Sequence, residues 1–159
     1  MPVVNDVAIM CWDYWSLFNA NSYIPTFGLF GGPGYIGGHR FDDNNMCIDD
    51  ASFTIEAALN TPVAKNSSNQ DSQSDVAFKA HDFGYFDAKS QTNEAWLILQ
   101  ADFALLQATL SVFLAPNYCM DRQEIVYDLL AARLFESKIM AFDLAMAGLE
   151  ERKNAAHNL

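Results

Sequence analysis

Positive charge is scarce in this chain: nine Lys and Arg stand against twenty Asp and Glu, a formal net charge of −11 over 159 residues. Nucleic acid is held by a basic face that neutralises phosphates, so nucleic-acid partners are excluded. A strongly anionic membrane surface would repel this protein unless bound cations intervened. Cysteine is scarce as well. Cys11, Cys47 and Cys119 are odd in number, widely spaced and form no CxxC pair. A disulfide framework is not implied, and buried free thiols are expected. The start of the chain lacks a basic n-region, and Asp6 and Asp13 interrupt its apolar run, so no secretory signal is expected. Internal repeats and strand-like alternation are also missing.

What is present is apolar. Hydrophobic residues make up 51% of the chain and charged ones 18%, with 12 Phe, 6 Tyr and 3 Trp, which is a globular composition and not a disordered one. The length suits one domain with a real core. Val7, Met10, Cys11, Tyr14 and Phe18 recur at helical spacing, and Trp12 and Trp15 widen that apolar surface. Trp12, Tyr14, Trp15 and Phe18 suit a lipid interface as well as core packing. Residues 21–38 hold six of the eight glycines and two prolines, which excludes ordinary helix. Ser52–Leu59 fits a short helix, and 65–74, rich in Ser, Asn and Gln, fits a flexible linker.

Ser74 or Asp75 supplies an N-cap for a helix running to about residue 88. Gln91-Thr92-Asn93 breaks it, and a second helix spans about 94–114. That helix is apolar nearly all round, the pattern of a central buried helix. A membrane span is disfavoured by Gln100, Asp102 and Gln107 in its middle, since a central Asp costs roughly 2.5–3.5 kcal/mol on insertion. Beyond Pro116 a long helix follows over about 120–155, with Ile125, Leu129, Leu130, Leu134, Ile139, Phe142 and Leu149 as packing candidates. The fold class is mainly α, built on two antiparallel helices.

His81 and Asp82 are neighbours, so on a helix they point about 100° apart and flank a common space. Tyr85 lies four residues after His81, on the same face. The short break at 89–94 makes the two helices antiparallel neighbours, which turns Asp102 back toward His81. A carboxylate bonded to the far nitrogen of His81 would fix its tautomer and stabilise the imidazolium. Asp102 sits in apolar surroundings, where an ionisable group is costly unless paired. In the glycine-rich stretch, backbone carbonyls can wrap a hard cation, and calcium takes six to eight oxygens, often including a bidentate carboxylate. A phosphate-cradling loop is the rival reading, but the chain has no GKS or GKT.

Three motifs in order carry a resemblance. Phe27-Gly28-Leu29-Phe30-Gly31-Gly32-Pro33-Gly34 resembles the calcium loop Y-G-C-Y-C-G-x-G-G of the phospholipase A2 superfamily, with Leu29 and Gly31 where cysteines stand. Asp75, His81, Asp82 and Tyr85 match its catalytic helix D-x-C-C-x-x-H-D-x-C-Y, with Ala77, Phe78 and Gly84 at the cysteine positions. Ala101-Asp102-Phe103-Ala104 resembles the C-D-x-A carrying the second aspartate. The likeness covers roughly residues 27–38 and 75–110. The resemblance implies calcium held by Asp82 and the carbonyls of Phe30, Gly32 and Gly34. It implies His81, Asp102 and Tyr85 as catalytic residues, with the Gly32 amide stabilising the oxyanion. The implied activity is sn-2 ester hydrolysis on a peripheral phospholipid surface. The protein would act outside the producing cytoplasm, secreted or delivered as a toxin or effector.

Departures from the family pattern are the absent disulfides, the roughly 40 residues between Gly34 and Asp75, and the short run from His81 to Asp102. They point to the compact, cysteine-poor bacterial, fungal and parvoviral forms. The expected layout is one domain, 1–159, with a calcium loop at 27–38, an insertion at 39–74, a helix pair at 75–114 and the C-terminal helix. A second calcium at Asp42, Asp43, Asp49 and Asp50 is less favoured than a solvated acidic loop. Two other functions compete: a metal-dependent phosphohydrolase of the His…His-Asp…Asp type using His39, His81, Asp82 and Asp143, and a non-enzymatic helical binding protein.

Overall fold

The computed structural model describes residues 4–5, 26–32, 34–42 and 44–157. The helix expected at 7–18 and its aromatic residues lie outside them. The fold is mainly α. Two antiparallel two-residue ladders come first: β1 (Val4–Asn5) pairs with β2 (Thr26–Phe27), and β3 (Tyr35–Ile36) pairs with β4 (His39–Arg40). The helices follow: α1 (Ile55–Leu59), α2 (Gln73–Ala88), α3 (Glu94–Val112) and α4 (Arg122–His157). The principal core joins Phe27 and Phe30 of the glycine-rich loop to Ala77 and Phe78 of α2, Leu105 of α3, and Tyr127 and Ala131 of α4. A smaller core of Phe41, Ile55, Ala58 and Leu59 seats α1.

The first turn of α2 begins earlier than the sequence suggests. Ser72, not Ser74 or Asp75, is the N-cap, its side chain accepting the Asp75 amide at 3.2 Å. Ser74 and Asp75 are free for other work because both point into the protein and are fully buried. The segment 65–74 is also no free linker. Asn66 is buried and its side-chain oxygen accepts the amides of Ser68 and Gln70, while the Ser67 amide donates to Asp121 at 3.0 Å. These bonds close a polar turn and tie it to the foot of α4.

Helix α3 is not centrally buried. Asp102, Leu105, Thr109 and Val112 face inward, whereas Trp96, Phe103, Leu110 and Phe113 are exposed. Helix α4 inverts the simple expectation in the same way. Ile125 and Leu129 are exposed, Leu130, Leu134, Ile139 and Phe142 are half-buried, and the fully inward stripe is Glu124, Tyr127, Asp128, Ala131 and Ala132. Small and aromatic residues let α4 approach closely, and the two carboxylates meet donors at the start of α2. Glu124 accepts the Ser72 hydroxyl at 2.9 Å and the Tyr118 hydroxyl at 2.7 Å. Asp128 accepts the Ser74 hydroxyl at 2.7 Å through Oδ2, while its buried Oδ1 has no hydrogen-bond partner.

Burial pushes the Asp128 carboxyl up to about 7. The folded protein therefore holds a proton that the unfolded chain releases near 4, and Asp128 costs stability as pH rises from about 4 through 7. Asp128→Asn is expected to stabilise the fold at pH 8 by on the order of 1–3 kcal/mol, after the cost of an unpaired amide. The gain should vanish at pH 4, where both side chains are neutral; thermal unfolding at the two pH values measures it.

The cysteines divide. Cys47 is partly buried and Cys119 is exposed, both free thiols, so Cys119 departs from the buried expectation. Cys11 lies outside the described residues.

Candidate active site between the second and third helices

Helices α2 and α3 run antiparallel: Gly84 faces Ala101, His81 faces Asp102, and Ala77 packs in the core with Leu105. The five-residue connection leaves the pair no other simple arrangement. Gly84 sets how closely they meet. A Cβ there would fall 2.9 Å from the Ala101 Cβ, so any larger residue would push the helices apart.

That close approach brings His81 Nε2 to 2.9 Å from Asp102 Oδ1. The Asp102 carboxylate is almost fully buried, and its partners are three polar groups from the two neighbouring helices, α2 and α4. The Tyr85 hydroxyl donates to Oδ1, and Lys138 of α4 lies 2.7 Å from Oδ2. The Lys138 ammonium also donates to the Tyr85 oxygen. Burial alone would raise the Asp102 pKa, but the hydrogen bonds from His81, Lys138 and Tyr85 outweigh it and hold the group below its ordinary value. An ionised Asp102 can only accept, so Nε2 carries the proton and Nδ1 is the basic nitrogen of neutral His81.

Burial pulls the His81 pKa down, yet Asp102 and Asp82 together overcome it and leave a net rise. The ring is fixed sterically by Phe135, edge-on with centroids 4.9 Å apart, and by Tyr85 at 4.2 Å. Burial and the bond to Asp102 drive the Tyr85 hydroxyl well above its usual range, so it stays protonated and donates.

Asp82 stands on the other side of the imidazole. Its Oδ1 is 3.8 Å from His81 Nδ1, beyond hydrogen-bond range, and its buried Oδ2 has no partner. Burial pushes its pKa up to about 6, partly offset by His81. A buried carboxylate with an unpaired oxygen is expensive to ionise and is stabilised by an added cation.

Asp75 answers how the glycine-rich loop reaches α2 across a long insertion. Its Oδ1 accepts the amides of Leu29 and Phe30 at 3.0 and 2.9 Å, and its Oδ2 accepts Ala64 at 2.8 Å. One carboxylate thus joins loop, insertion and helix, with about 10 Å of helix axis between Asp75 and Asp82. Gly28 is required there: its φ is +58°, and a Cβ would fall 2.5 Å from Asp75 Oδ1. Desolvation raises the Asp75 pKa, against the pull of its three amide donors.

Of the remaining loop positions, Phe30 has its ring in the core, Gly32 is half-buried and Gly34 is exposed. The Gly32 carbonyl accepts the Tyr35 amide at 3.1 Å, and the Gly34 carbonyl accepts the Phe41 amide at 2.7 Å. Each keeps a second lone pair for a cation. His39 does not join His81. It bonds to Asp49 at 3.1 Å and stacks on Phe53, and Asp143 is exposed. Among the described residues no paired-histidine cluster forms, so the constellation of the phosphohydrolase reading is not assembled.

Lys138 was not legible in the sequence. It lies on the expected C-terminal helix, but nothing local marks it, and only the packing of α4 delivers it to Asp102. Lys138→Met is expected to move the acid limb of any His81-dependent rate profile to higher pH, by roughly half a unit. Losing the cation strengthens the pull of Asp102 on the imidazolium; Lys138→Arg should leave the limb in place, and a pH–rate profile of the three proteins measures this.

Comparisons with protein-family models, with curated proteins and with solved structures find no match to this chain.

Proposed function

We propose that the protein is a calcium-dependent phospholipase A2-like enzyme that hydrolyses the sn-2 ester of glycerophospholipids to a lysophospholipid and a fatty acid. The observation that carries the reading is the His81–Asp102 hydrogen bond at 2.9 Å, made beside a buried carboxylate with an unpaired oxygen. A base whose far nitrogen is held by an ionised partner, next to an under-coordinated hard ligand, is suited to activating water near a cation.

In this reading His81 Nδ1 takes the proton from water as it attacks the ester carbonyl. Asp102 holds the tautomer and stabilises the imidazolium, and Tyr85 and Lys138 keep Asp102 in place. His81 then returns the proton to the leaving glycerol oxygen. Asp82 and the carbonyls of Phe30, Gly32 and Gly34 would hold calcium, a donor chemistry that suits it: all are oxygens, one is a carboxylate, and that carboxylate has an oxygen unpaired. Calcium, when bound, would supply charge stabilisation for the developing oxyanion and a hold on the substrate phosphate. The Gly32 amide would add a hydrogen bond to that oxyanion. Substrate would be met at a membrane surface, the bound cations offsetting the acidic surface, by a protein secreted or delivered outside the producing cytoplasm.

The test is hydrolysis of phospholipid vesicles with calcium present and then chelated. Lysophospholipid and the sn-2 fatty acid should appear only with calcium. Release of the sn-1 chain alone would overturn the positional assignment, and no calcium-dependent release would overturn the function.

A further inference from the structure

We infer that His39, Cys47 and Asp49 form a second metal site, for a thiophilic divalent cation of the zinc class, on the face of the β3–β4 hairpin. The three side chains offer an imidazole nitrogen, a sulfur and a carboxylate oxygen, all within 4.8 Å of one another. Asp49 Oδ1 is the node, 3.1 Å from His39 Nδ1 and 3.0 Å from Cys47 Sγ. Tetrahedral zinc with bonds of about 2.0–2.3 Å spaces its ligand atoms by about 3.3–3.6 Å, so the two edges at Asp49 need to open by only a few tenths of an ångström, and the His39–Cys47 edge, no longer than 4.8 Å, closes by about 1.5 Å at most.

The backbone holds the triad together before any ion arrives. Ile48 donates to the Arg40 carbonyl at 2.7 Å, and Phe41 and Cys47 form an antiparallel bridge. That pairing sets Cys47 and Asp49 back against β4, where His39 starts. The His39 ring is steadied by Phe53, with centroids 4.1 Å apart. The side chains of His39 and Asp49 remain 30% and 46% exposed, which leaves access for the ion and a fourth position for water. Thiolate and imidazole donors select zinc-like ions over calcium, so the site is chemically distinct from the all-oxygen set around Asp82 and does not depend on the phospholipase reading. Its effect would be structural: an ion there clamps residues 44–50 to the hairpin.

Cobalt(II) provides the test, in a Cys11→Ser/Cys119→Ser background whose circular dichroism matches the parent. One cobalt per chain with a thiolate-to-metal charge-transfer band is expected. Zinc should displace it, and a thousandfold excess of calcium should not. Cys47→Ser should abolish the band, and His39→Gln should weaken cobalt and zinc binding roughly 10-fold or more. Absence of the band in the background protein, its persistence without Cys47, unchanged affinity in the His39 variant, or displacement by calcium would each overturn the assignment.

Discussion

His81→Gln is expected to lower calcium-dependent phospholipid hydrolysis by on the order of 10³-fold while leaving the protein folded. Glutamine keeps much of the side-chain volume between Tyr85 and Phe135, so the packing loss is small. Asp102 is not stranded in the variant, because Tyr85 and Lys138 still donate to it. The loss should therefore fall on the rate and not on stability. Initial rates at saturating calcium, with thermal unfolding as the control, separate the two. Substantial lysophospholipid production by a folded His81→Gln protein would remove His81 as the base. In the parent, activity requires neutral His81, so it should fall as pH drops through the imidazole pKa.

Asp82→Asn is expected to weaken calcium binding by roughly 100-fold or more, since the site loses its one carboxylate ligand. In the parent, protons compete for the same oxygens. With its pKa pushed up to about 6 by burial, Asp82 is increasingly protonated below pH 6, and calcium affinity should fall about tenfold per pH unit there. Above pH 6 the affinity should be nearly independent of this group. The calcium-free protein should show the opposite trend. An ionised Asp82 costs folding energy, so stability falls as pH rises from about 4 to 6, and Asp82→Asn should be the more stable apo protein at pH 7. Calorimetric calcium titrations at several pH values test the first claim and thermal unfolding with chelator tests the second. Equal calcium affinity in parent and variant would move the ion elsewhere in the molecule.

The helix pair was legible because its causes are local. Apolar recurrence, a polar break at 91–93 and the cap-rich stretch before Asp75 define two helices with a short connection, and a short connection forces them antiparallel. From there the 21-residue separation of His81 and Asp102 closes by geometry, at the 2.9 Å now seen. The same local logic misplaced the cap by two residues, because Ser72, Ser74 and Asp75 are all competent caps in isolation. What selected Ser72 was distant: Glu124 and Asp128 of α4 accept from Ser72 and Ser74, and the loop amides occupy Asp75.

The sequence by itself determined the mainly α class, the pairing of α2 with α3 and the meeting of His81 with Asp102. Helical periodicity and a five-residue turn leave little else possible. Tertiary structure alone decided which faces are buried. An apolar α3 leaves Trp96, Phe103 and Leu110 exposed, while Glu124 and Asp128 of α4 go inside. Periodicity records only which residues share a face, and whether that face is covered depends on neighbours brought from far along the chain. Lys138 reaching Asp102, Asp75 fastening the loop, and His39 turning to Asp49 instead of His81 are decisions of the same kind. Each joins segments whose contact no local pattern encodes.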